Sequence, residues 1–235
     1  MLITCIWEHN GNDSLIFAEN FAGAFTRGAS RKEATSKMPA EIDSYLRWRD
    51  GQIYNEKIET EIVQEKISNL TIRDADSDVI FDSEKGPLSA GGYETLKKLA
   101  LKSARDFQTL YDSIPDKDIS RLFERKTFYG KAPITARDMY EHTKNVNKYY
   151  FYEIGVGADN KGAIFECRER AFEILENSEG YLDNVARVGS YDEEWTLKKL
   201  LRRFVWHDRI HAKAMLRMAE KTFGKGIVKD VFYFN

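Results

Sequence analysis

Of four histidines in the chain, three can act together. His207 and His211 lie four residues apart in a long segment of helical period, so they share one face about one turn apart. Phe204, Met215 and Met218 fall on the same face, which marks it as a core face. His142 lies on a second apolar stripe, with Met139, Val146 and Tyr149. A neutral imidazole offers one lone pair at ~2.0–2.1 Å from zinc, and a His-x-x-x-His pair on a helix supplies two adjacent ligands. A third imidazole from a facing helix leaves a fourth position open, as in catalytic rather than structural zinc sites. Water in that position would have a pKa near neutrality and act as a nucleophile. His142, His207 and His211 are therefore the candidate ligands of one divalent transition metal ion, Zn²⁺ or Ni²⁺. Buried neutral histidines with ordinary hydrogen bonds are the plainer alternative, and they satisfy the same periodicity.

Other metal and phosphate scaffolds are missing. No His-Glu-x-x-His occurs, so the zinc-protease helix with its own base is absent. Without Glu-x-x-His there is no ferritin-like di-iron site. Neither glycine-rich phosphate loop is present, and Gly155-x-Gly157 reads as a turn. A catalytic base is not assigned. Glu153 falls three turns beyond His142 on its face, ~16 Å along the helix. Asp208 is rotated by about 100° from His207 and is expected to pair with a surface cation such as Arg209 or Arg203. Tyr149 and Tyr150 are expected in the core or at a pocket mouth.

Four helices have to position these groups. Leu96, Leu99, Ala100, Phe107 and Leu110 mark the first, which Ile114-Pro115 ends. Pro133 and Thr135 open the second, with Asp138 at capping distance, and it runs to about Ile154. Ile164 to Leu175 form a third, closed near Gly180. A fourth carries the histidine pair to Gly224, with Tyr191-Asp192-Glu193-Glu194 placing negative charge at its start. Four long helices in about 135 residues predict a four-helix bundle. The apolar tail, Ile227 to Phe234, is expected to pack back as a strand or extended arm.

Residues 91–225 resemble the DinB-like, or YfiT-like, metalloenzymes. The resemblance rests on Thr135-x-x-x-Met139-Tyr140-Glu141-His142, and on Trp195-x-Leu197 leading to Trp206-His207-Asp208-Arg209-x-His211. The family's three ligands fall on His142, His207 and His211. The resemblance implies a metal-dependent transferase or isomerase that uses a low-molecular-weight thiol, and a homodimer; a metal-bound water makes a metal-dependent hydrolase the other expected type.

The first seventy residues have a different grain. Met1–Trp7 is an apolar, strand-like run, Asn10-Gly11-Asn12-Asp13 is turn chemistry, and Leu15-Ile16-Phe17 returns as a strand. Ala24-Phe25-Thr26 is a third short strand. Ser30 with Glu33 caps a helix that continues through Ile42, Tyr45 and Leu46 to Trp48, and Ile58 to Ile67 alternates like a half-buried strand. This β-β-β-α-β order resembles the HicB-like fold, on Ala22-Gly23, Thr26-x-Gly28, Ser30 and Glu33-Ala34. Antitoxin function does not carry over on those residues alone. The expected organisation is a HicB-like α+β domain over 1–70, an acidic solvated linker over 71–90, and the all-α DinB-like bundle over 91–235. The carboxylates from Asp74 to Glu84 lack the order of a calcium loop.

A formal net charge of −2 with no basic block argues against nucleic acid as a partner. The apolar start is too short for a signal peptide, and no run reaches the ~18 residues of a membrane span. Cys5 and Cys167 are expected as buried free thiols in a reducing, cytoplasmic setting. A small-molecule substrate, a thiol among the candidates, is the expected partner. The alternative is a regulatory protein that acts through residues 1–70 and holds its metal structurally.

Overall fold

Asn10 and Asp13 pair across a two-residue turn in which Gly11 takes a φ of 58°. A side chain there would be strained, so the glycine sets the first hairpin. The computed structural model describes residues 1–54, 56–127 and 130–235. The hairpin joins β1 (Leu2–Asn10) to β2 (Asp13–Ala18), and β3 (Phe25–Gly28) and β4 (Glu59–Ile67) complete a four-stranded sheet. Its order is β3-β2-β1-β4, with β4 parallel to β1 and the other pairs antiparallel. Between β3 and β4 the expected single helix is divided into α1 (Arg31–Ser36) and α2 (Met38–Asp50). Pro39 falls in the first turn of α2, where its missing N–H costs nothing, so a new helix starts there. Ser30 accepts from the Glu33 amide as the cap of α1.

β2 is covered on both faces, while β4 at the edge leaves alternate side chains exposed, Val63 and Ile67 among them. Ile3, Cys5, Ile16 and Ala18 face Ala34, Met38, Ile42 and Tyr45 in the main core. Ile6, Leu15, Phe17 and Phe25 face the other way, against Ile72, Val79, Phe81 and Trp206. This corrects the expected solvated linker over 71–90. Its apolar residues line the second face of the sheet, and its carboxylates are engaged as well. Glu84 pairs with Arg202 with both side chains almost wholly buried, and Glu8 accepts from Ser77. The unbroken run Leu15-Ile16-Phe17 carries the reason, since a strand apolar on both sides needs two covers.

The second half is helical: α3 (Ala90–Ser113), α4 (Ala136–Glu153), α5 (Ile164–Glu176) and α6 (Leu197–Phe223). α6 and α5 each pack against both α3 and α4. One continuous core joins these helices to α2 and the sheet. The tail packs back without forming a strand among the described residues: Phe232 is buried and stacks on Trp48, ring centroids 5.4 Å apart. No helix among the described residues is long and apolar enough to cross a membrane.

Candidate metal centre

α4 and α6 present the three histidines to one another, and each helix is set by a local cap. Thr135 accepts from the Asp138 amide at 3.1 Å and Asp138 reaches back to the Thr135 amide, so α4 starts where the capping pattern predicts. Thr196 caps α6 through the Lys199 amide, and Gly224 ends it. The expected acidic start of α6 at 191–194 is corrected: Tyr191 and Asp192 form a left-handed turn, φ 60° and 58°, ahead of the helix. Two consecutive non-glycine residues in that region are strained, which only surrounding contacts can hold. One such contact is Glu153, whose carboxylate accepts from the Ser190 amide at 2.7 Å. It can approach because residue 189 is glycine; a Cβ there would collide with that carboxylate. Glu153 thus points inward but serves the loop.

His142, His207 and His211 each offer a ring nitrogen within 4.8 Å of the other two. Ring centroids lie 4.4 Å apart for His207 and His211, 4.6 Å for His142 and His211, and 5.3 Å for His142 and His207. Nitrogens around a tetrahedral ion at ~2.0–2.1 Å stand roughly 3.3 Å apart, so only small rotations separate this arrangement from a ligand set. Burial lowers the pKa of all three: His142 below its usual value, His207 well below it with further repulsion from His211 and His142, and His211 to about 3. Each is neutral at pH 7, the form that binds metal. His207 Nδ1 is buried with no hydrogen-bond partner among the described residues. A buried polar atom left so costs ~1–3 kcal/mol, and a metal ion is a natural partner for it. The donor set therefore fits a divalent transition metal.

The histidines stand on the wall of a cleft of about 1720 Å³, together with Tyr149, Tyr150, Glu193, Arg203 and Trp206. Burial raises the pKa of both tyrosines, so their hydroxyls stay protonated. The fourth histidine, His9, is elsewhere, stacked on Trp7 and bonded to Glu65. Cys5 and Cys167 are buried free thiols, the first pushed up to about 12 by burial.

Asp208 does not pair with a surface cation. It is fully buried and accepts two bonds from Arg168, at 2.6 and 3.0 Å, and one from Ser103 at 2.7 Å. Arg209 instead reaches Glu41 of α2 at 2.8 Å. Arg168, Arg203 and Glu193 were not singled out as site groups from the sequence. The available signal was Arg203, four residues before His207 and thus on its face. Compared with known proteins, the chain matches no family model, no curated protein and no solved structure.

Proposed function

We propose that the protein is a metal-dependent enzyme of DinB-like type, a hydrolase or low-molecular-weight-thiol transferase, with one Zn²⁺ or Ni²⁺ held by His142, His207 and His211. The observation that carries this reading is the convergence of three neutral imidazoles from two helices at a cleft wall. A bound ion with an open position supplies a site for thiolate or hydroxide at neutral pH. The chain's own contribution is a rigid frame. α6 holds His207 and His211 in register, the capped start of α4 sets His142, and Tyr149 and Tyr150 form the adjoining wall.

The deciding experiment is elemental analysis of protein purified without a metal-affinity tag, followed by Co²⁺ substitution. Near one ion per chain, and a visible spectrum that changes on adding a small thiol at neutral pH, support the proposal. A spectrum indifferent to thiols, azide and other small anions would leave the structural-metal reading, and no ion at all would remove both.

A further inference from the structure

Arg203 lines the same cleft as the three histidines, one helical turn before His207 on the same face of α6. Its side chain is more than nine-tenths buried, 9% exposed, yet its donors are only partly used. One guanidinium nitrogen, Nη1, donates to the Ser77 carbonyl. Glu193 is its nearest carboxylate at 3.7 Å, but Lys199 holds that carboxylate more closely, at 2.8 Å. Arg203 Nε has no hydrogen-bond partner among the described residues. Two buried cations thus share one carboxylate at this wall. Of the other nearby carboxyls, Glu84 pairs with Arg202, Asp78 with Lys66 and Asp76 with the Thr71 amide, while Glu8, bonded to Ser77, adds favourable charge and the Tyr150 hydroxyl also engages the guanidinium.

The guanidinium is also held still. Its central carbon lies 4.9 Å from the Trp206 ring, 5.2 Å from Trp195 and 5.5 Å from Tyr150. A fixed, desolvated guanidinium with an unpartnered Nε is the group that recognises a carboxylate, because its planar fork matches two oxygens and little entropy is lost on binding. Resting on the metalloenzyme reading for the reacting end, we infer that Arg203 is the anion-binding group of this cleft. The substrate accordingly carries a carboxylate one helical turn, ~6 Å, from the atom that meets the histidines.

The test uses the full-length chain loaded with Co²⁺ and two thiols that differ only in charge, 3-mercaptopropionate and 3-mercaptopropionamide. Titrated on the visible spectrum, the carboxylate should bind at least ~10-fold tighter, within the range of a charge-assisted hydrogen bond. Arg203→Met should bring that ratio close to one while Co²⁺ content and affinity for the amide stay as in the wild type. Arg203→Lys, which keeps the charge without the fork, should retain part of the preference. A ratio near one in the wild type, or a ratio unchanged in Arg203→Met, overturns the inference. A second arm needs no metal. Trp195 and Trp206 flank Arg203, so propionate at millimolar concentration should change tryptophan emission saturably in the metal-free protein, and propionamide should not. Saturable propionate binding without Co²⁺ uptake supports the anion site and removes the metalloenzyme reading. Co²⁺ uptake with no response to propionate, and no charge preference among the thiols, removes the anion site alone.

Discussion

Arg168 and Asp208 close a two-pronged ion pair across the helical core, with neither side chain exposed. Asp208 follows His207 directly, so the pair also fixes the stretch of α6 that carries the histidine. Removing one partner leaves a buried charge unmatched, which costs ~3–5 kcal/mol. Arg168→Met is therefore expected to lower the free energy of unfolding by about that amount, read from urea denaturation. Arg168→Met with Asp208→Leu should recover much of the loss, since an apolar pair of similar bulk removes the orphaned charge. A loss below ~1 kcal/mol in the single variant would contradict the buried pairing.

Metal content should depend on all three histidines. Replacing His207 or His211 by alanine should remove most bound Zn²⁺ or Ni²⁺, because two imidazoles hold a divalent ion far less tightly than three. Elemental analysis of untagged protein reads this directly. Stoichiometry near one in the wild type and in both variants would place the ion elsewhere, and retention in His142→Ala alone would mean a different third ligand.

Glu8 supplies a pH dependence away from the histidines. It is fully buried in the sheet, bonded to Ser77 and the Asp78 amide, and burial raises its pKa to about 7. The folded state thus holds a proton that the unfolded chain releases near ~4.3. Its contribution is full below that value and is lost as pH rises to about 7, since the native state binds more protons there. Asp78, the carboxylate next to it, is held ionised by Lys66. Glu8→Gln keeps the shape without the proton. Its stability relative to wild type should rise between pH 4.5 and 7, by ~1–3 kcal/mol in total. Parallel stability curves for the two proteins would exclude this role.

The stretch from Asp74 to Ala90 should resist proteolysis. Val79 and Phe81 are buried against the sheet, and Arg202 locks Glu84. Limited proteolysis with mass-spectrometric mapping should find first cuts outside 74–90, and unfolding should be a single transition. Early cleavage within 74–90 that releases a folded metal-binding fragment would restore a two-domain organisation.

Gly23 ties the two halves together beside the site. It has a φ of 89°, and a Cβ there would lie 2.5 Å from Val205 Cγ1 and 2.8 Å from the Trp206 amide. Gly23→Ala should therefore cost ~1–3 kcal/mol in stability, from strain and overpacking combined. Because Trp206 precedes His207, metal affinity should fall as well. An alanine variant as stable as wild type would show that the α6 contact can shift freely.

Much of the fold was legible because its signals are local. Caps at Ser30, Thr135 and Gly224, the turn at Gly11 and the alternation of β4 depend on residues a few positions apart. The histidines were legible for the same reason: a spacing of four fixes a shared helix face before any neighbour is known. Tertiary structure alone decided which charges are buried and with whom. Asp208 meets Arg168 forty residues away, and Glu84 meets Arg202 at a separation of 118. In the sequence these four are ordinary charged residues, and the acidic ones read as solvated. A charge enters the core only when a distant partner arrives to match it, and the local pattern records one half of each pair. The same holds for residues 71–90, whose turns and carboxylates describe a linker until the second face of the sheet needs a cover. It holds for Arg203 too, whose alignment with His207 is local but whose unpartnered Nε goes with Glu193 being held by Lys199.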